Sequence, residues 1–139
     1  MEIKLKRLNK NFHLEATGTN GRTVSIDAGS HDGGEDLGVR PMQLMLMGLG
    51  GCSSIDVISI LKKQRQEVDD YDVVITAERE KDKIPSLFTA IHIKFILTGK
   101  IEKEKLEHAI KLSLEKYCSV AKTLEKTATI TYSYTINGN

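Results

Sequence analysis

Cys52 and Cys118 are the only cysteines in this chain of 139 residues. Cys52 follows Gly50-Gly51 inside the apolar run 41-PMQLMLMGLGGCSSIDVISIL-61, and Cys118 stands in 116-KYCSV-120. Two thiols without secretory features read either as two inert, small apolar residues or as a transient redox pair. In the redox reading the Cys52 thiolate attacks a peroxide oxygen and an alcohol or water departs. The sulfenic acid left on Cys52 then condenses with Cys118 to a disulfide, which external thiols reset. Such an attack needs a cation beside the thiolate. The candidates near the run are Arg22 and Arg40, and each taken alone reads more readily as a solvated surface charge. Gly48, Gly50 and Gly51 cost helix stability of about 1 kcal/mol each relative to Ala, and they permit something to approach the helix closely there. That something is either a partner helix or a peroxide together with the second cysteine.

Other chemistry is poorly supplied. His13, His31, His92 and His108 lack metal spacing, and neither C-x-x-C nor H-E-x-x-H occurs, so no metal is expected. The glycines of 29–38 fit neither a phosphate loop nor a dinucleotide fingerprint, so no cofactor is expected. With 20 Lys+Arg against 19 Asp+Glu, the net charge of +1 lacks the basic excess that nucleic-acid binding draws on. The start, MEIKLKRLNKNF, alternates charged and apolar residues and has no signal-peptide core, which predicts a cytoplasmic protein. Met42, Met45 and Met47 suit an adaptable core and could also line a pocket for an apolar substrate.

The elements that must position the thiols are legible in the pattern. A content of 40% hydrophobic and 28% charged residues predicts a folded chain, and the length predicts a single domain over 1–139. Residues 2–8, Phe12 to Ala16 and 23–27 alternate as strands, with Asn20-Gly21 as a hairpin turn. The Gly-rich, acidic stretch 28–40 reads as a mobile loop. Pro41 suits the first position of a helix running to Lys63. Gln43, Ser53, Ser54, Asp56 and Ser59 interrupt that run, so it predicts a helix buried in protein and no membrane span. A helix of about 35 Å, apolar all round, is more than one small domain can cover. A homodimer is therefore expected. Further strands are predicted over 72–80 and 88–99, helices over 102–116 and 119–126 with a break at Cys118, and a final strand over 128–136. The order βββ-α-ββ-αα-β is that of an α+β protein.

The segments 41-PMQLMLMGLGGCSSIDVISILKK-63 and 115-EKYCSVAKTLEK-126, with the terminal strand, resemble the OsmC/Ohr family of osmotically inducible and organic hydroperoxide resistance proteins, in particular its OsmC-like branch. The resemblance covers the chain from about Leu37 onward. It implies an intertwined homodimer in which sheet wraps the long central helices. It also implies thiol-dependent reduction of organic hydroperoxides, with Cys52 peroxidatic, Cys118 resolving and a dithiol as reductant. Family members commonly carry a glutamate near the start of the central helix that orients an arginine from an N-terminal loop. Here that position is Gln43, whose neutral amide holds a guanidinium less tightly than a carboxylate does, and Arg22 is the best-placed arginine by order. The alternative reading is a non-catalytic dimer of the same fold that binds a small apolar ligand at the subunit interface.

Overall fold

The computed structural model describes residues 1–139, which divide into two compact units, Met1–Leu46 and Met47–Asn139. In the first unit, the alternating segments form a three-stranded antiparallel sheet in the order β1 (Lys4–Arg7), β2 (Leu14–Thr17), β3 (Thr23–Ile26). The Asn20-Gly21 turn falls where expected. Gly21 adopts φ +76°, its N–H donates to Gly18 O at 2.9 Å, and Gly18 N–H donates to Arg22 O at 2.8 Å. Glycine supplies this left-handed conformation without a steric cost.

The stretch 28–40 differs from the mobile loop that its composition suggests. Asp27, 1% exposed, accepts hydrogen bonds from the backbone N–H groups of Ala28, Glu35 and Leu37. These bonds, Leu37's foremost, hold the Asp27 carboxyl below its usual pKa. Val39 pairs with Ile26 in an isolated parallel bridge. One buried carboxylate thus organises the backbone of the whole segment.

The long helix α1 (Pro41–Lys63) begins in the first unit and continues through the second. Its start is a capping arrangement. Pro41 occupies the first helical position, and Gln43 Oε1 accepts the Arg40 N–H at 3.0 Å, the reach-back of a third helical residue to the cap. Lys62 and Lys63 close the last turn, where cations suit the negative end of the helix dipole.

In the second unit, β4 (Glu67–Arg79), β5 (Phe88–Lys100) and β6 (Thr129–Ile136) form a sheet in the order β4-β5-β6, with β4 antiparallel and β6 parallel to the central β5. Strand β4 starts five residues before the alternating segment, because Glu67 to Tyr71 pair with the far end of β5 across an irregularity at Val68/Asp70. It is an edge strand, and its acidic residues suit that place. Ile91, Ile93, Phe95 and Leu97 of β5 are all buried, as their two-residue period requires. Between β5 and β6 run α2 (Lys103–Leu112), a five-residue π turn (Ser113–Tyr117) and α3 (Ser119–Leu124). The element order is the expected βββ-α-ββ-αα-β.

Helix α1 has the length and hydropathy of a membrane span, with a mean hydropathy of 1.8 over 18 residues. Its burial is nevertheless one-sided within the chain. Leu49, Ser53, Val57 and Leu61, spaced by four, are fully buried, whereas Met47, Ile55 and Ile58 are exposed. The two stripes lie two residues apart, which is about 200° around a helix. Removing the buried stripe's apolar volume should be costly: Leu49→Ala is expected to destabilise the chain by about 2–5 kcal/mol, measured by urea unfolding.

Candidate functional site

The thiol site lies wholly in the second unit and is assembled from α1 and the break between α2 and α3. On α1, Cys52 and Asp56 stand one helical turn apart on one face. Across from them, the Ser113 hydroxyl donates to Asp56 Oδ2 at 3.0 Å and lies 3.5 Å from the backbone oxygen of Ser53. Ser113 opens the π turn, and Cys118 N–H closes it by donating to Ser113 O at 2.8 Å.

That turn decides where the second sulfur goes. In a continuous α-helix, residue 118 would point about 140° away from residue 113. The wider i→i+5 turn brings it back over the same side, where Asp56 holds Ser113. Cys118 then leaves the helical conformation, with φ −70° and ψ 100°, and caps α3 by accepting the Ala121 N–H on its sulfur at 3.4 Å. The break expected at Cys118 is therefore a π turn followed by a sulfur cap. The sulfurs of Cys52 and Cys118 and a carboxylate oxygen of Asp56 all lie within 4.8 Å of one another.

The two thiols are free and differ in their surroundings. Cys52 is half-buried, and Cys118 is fully buried. Burial pushes the Cys118 thiol up to about 11. The Ala121 N–H works against that rise, and the neighbouring Cys52 sulfur adds to it. A thiol with a raised pKa stays protonated, and hence weakly nucleophilic, at every pH below that value. The arrangement thus offers one reachable sulfur and, beside it, a sheltered proton-bearing one.

Arg22, Arg40 and Gln43 belong to the first unit. The Arg22 backbone N–H bonds Asn20 Oδ1 in the hairpin turn at 3.1 Å, and its guanidinium takes part in no ion pair or hydrogen bond. Arg40 is committed locally: its guanidinium donates to Gly38 O at 2.9 Å and to Asp27 O at 3.4 Å, and pairs with Asp36. Gln43 caps α1 through its side-chain oxygen. Of the three glycines before Cys52, only Gly50 has a close neighbour, since a Cβ there would meet Ile75 Cδ1 at 3.0 Å. At Gly48 and Gly51 the space within this chain is open or nearly so.

Asp56 and Ser113 are the site residues that sequence reasoning passed over. The signal for Asp56 was present as C-x-x-x-D within an apolar helix, a spacing that stacks two reactive groups. Ser113 carried none, because it sits on the apolar stripe of an ordinary-looking helix.

Accessibility and protonation together predict a selective reaction. At neutral pH, iodoacetamide should alkylate Cys52 alone, and modification of Cys118 should follow only as pH rises toward about 11 or on unfolding. Mass spectrometry of the digested protein reads both sites.

Residues 33–133 match the family model described as OsmC-like protein. The chain is 46% identical over 117 residues to Protein YhfA of Escherichia coli K12, a match covering 84% of each chain. A hypothetical protein from Aquifex aeolicus VF5, known from its crystal structure, is 33% identical and superposes with a TM-score of 0.81, covering 98% of this chain and 96% of that one. An organic hydroperoxide resistance protein OsmC from Legionella pneumophila superposes with a TM-score of 0.72 over 96% of this chain and 95% of that one. At 16% identity, it shares the fold alone.

Proposed function

We propose that the chain, which belongs to the OsmC-like protein family, is a cytoplasmic thiol-dependent reductase of organic hydroperoxides. The observation that carries this reading is the pairing of a reachable Cys52 with a buried Cys118 whose sulfurs lie within 4.8 Å. A disulfide needs the sulfurs about 2 Å apart, so side-chain rotation with a small adjustment at the helix break completes the bond. The Cys52 thiolate attacks the outer oxygen of ROOH and breaks the O–O bond. Cys52 becomes a sulfenic acid, and RO⁻ takes a proton and leaves as ROH. Cys118–SH then condenses with the sulfenic acid, forming the disulfide and releasing water. A dithiol reductant returns both cysteines to thiols and is itself oxidised to a disulfide.

The division of labour follows from burial. The reachable sulfur meets the substrate, and the sheltered one is kept protonated until a sulfenic acid stands beside it. Treatment of the reduced chain with an equimolar amount of cumene hydroperoxide should remove two hydrogen atoms from the intact mass, and digestion should place the new bond between Cys52 and Cys118. In Cys118→Ser, the same treatment should leave a sulfenic acid on Cys52 that dimedone traps. An unchanged mass in the native chain would refute the enzyme and favour a ligand-binding member of the fold.

The exposed stripe of α1 supports a homodimer. Met47, Ile55 and Ile58 are large apolar residues 52%, 71% and 43% exposed, and Gly51 on the same side leaves open space for an approaching backbone. Cys52 stands at the margin between this stripe and the buried one, so a second copy covering the stripe would wall the site and exclude bulk water. Light scattering should give twice the 15.5 kDa chain mass. Ile55→Asp should shift the protein toward monomer, because an uncompensated carboxylate would then face the partner helix.

A further inference from the structure

The Cys52, Asp56 and Cys118 cluster has the composition of a site for a thiophilic cation as well as for a redox pair. Two sulfurs and one carboxylate oxygen converge within 4.8 Å of one another. In a tetrahedral zinc site, with bonds of about 2.3 Å to sulfur and about 2.1 Å to oxygen, neighbouring donor atoms lie about 3.6–3.8 Å apart. Closure by about 1 Å, within reach of χ rotation at Cys52 and Asp56, therefore suffices.

Several independent features favour a metal. Cys52 and Asp56 sit at i and i+4 on α1, the spacing by which one helix face presents two ligands to zinc. The Ser113 hydroxyl bonds one oxygen of Asp56 at 3.0 Å, fixing the carboxylate from behind as an outer partner of a metal ligand does. Asp56 is half-buried and forms no ion pair with any lysine, arginine or histidine, so a bound cation would supply its missing counter-charge. Cys118 closes the inner side, and the half-exposed Cys52 leaves a way in. Three protein ligands with one open position describe a zinc site completed by water. Two thiolates select zinc over magnesium or calcium, which prefer oxygen donors.

We infer that the reduced protein binds one zinc ion per chain through Cys52 Sγ, Cys118 Sγ and Asp56, with water as the fourth ligand. Binding replaces the two thiol protons, which are released. Because both sulfurs are ligands, metal and disulfide exclude each other. Zinc would hold the thiols out of the peroxide reaction, and once an organic hydroperoxide has oxidised the metal-free pair to the disulfide, giving an alcohol and water, no zinc site remains. The binding step itself does not rest on the peroxidase reading.

The test uses the full chain, reduced and freed of metal, titrated with Co²⁺ as a spectroscopic probe and then with Zn²⁺ against a chromophoric chelator. The expected result is saturation at one equivalent. The Co²⁺ form should show sulfur-to-metal charge transfer in the near ultraviolet and the visible bands of tetrahedral cobalt. Cys52→Ser, Cys118→Ser and Asp56→Asn should each weaken Zn²⁺ binding by more than the roughly 10–100-fold typical of losing an outer partner of a ligand. Ser113→Ala, which leaves all three ligands in place, should weaken it less, and circular dichroism checks that each variant is folded. The disulfide form should bind no zinc. Absence of the charge-transfer band, or affinity unchanged in folded Cys118→Ser and Asp56→Asn, would overturn the site. Disulfide formation by cumene hydroperoxide in the metal-free chain is read separately by mass, so the failure of either idea is distinguishable from the failure of the other.

Discussion

The hydrogen bond from Ser113 to Asp56 is the contact on which the site's geometry depends. It ties the middle of α1 to the first residue of the π turn, and both cysteines are measured from it. Cys52 lies one turn before Asp56 on α1. Cys118 lies at the end of the i→i+5 turn that Ser113 begins. A polar bond within a largely apolar contact has strong geometric demands, because an unpaired partner there loses solvation without replacement. It therefore fixes the register of the two segments more narrowly than apolar packing alone would.

The helix that carries Cys52 has two apolar faces, of which one is buried within the chain and the other is exposed. Leu49, Ser53, Val57 and Leu61 are buried within the chain, and Ser53 satisfies its hydroxyl internally by donating to Leu49 O at 2.8 Å. The opposite stripe remains exposed in a single copy. Such a helix lacks the one-sided pattern of a surface helix, which is why it resembles a membrane span in composition. Cys52 and Asp56 lie between the two faces, each half-buried.

Much of the architecture was legible from local pattern. The strand periods, the Asn-Gly turn, proline at the start of α1 and the interruption near Cys118 all follow from short-range chemistry. Shifts appeared where pairing or a single polar residue overrode composition. Strand β4 extends to Glu67 because β5 offers it a partner, despite the poor strand preference of Asp69 and Asp70. The acidic, Gly-rich stretch after Asp27 is ordered because that carboxylate collects three backbone donors, an arrangement that composition does not encode. Gln43 stands where the family resemblance led us to expect a glutamate holding an arginine, and in this chain its oxygen serves the start of the helix.

For the site, the sequence by itself determined two participants: two thiols, one on an apolar helix and one at a helix break. It could do so because residue types and helix-breaking patterns are local properties. Only the tertiary structure decided that the sulfurs converge, that Cys118 is the sheltered one, and that Asp56 joins them. Those outcomes depend on the hand and width of a single turn and on one hydrogen bond between residues 57 positions apart. Neither has a signature in the local pattern, because the sequence of a π turn differs little from that of the α-helix it interrupts.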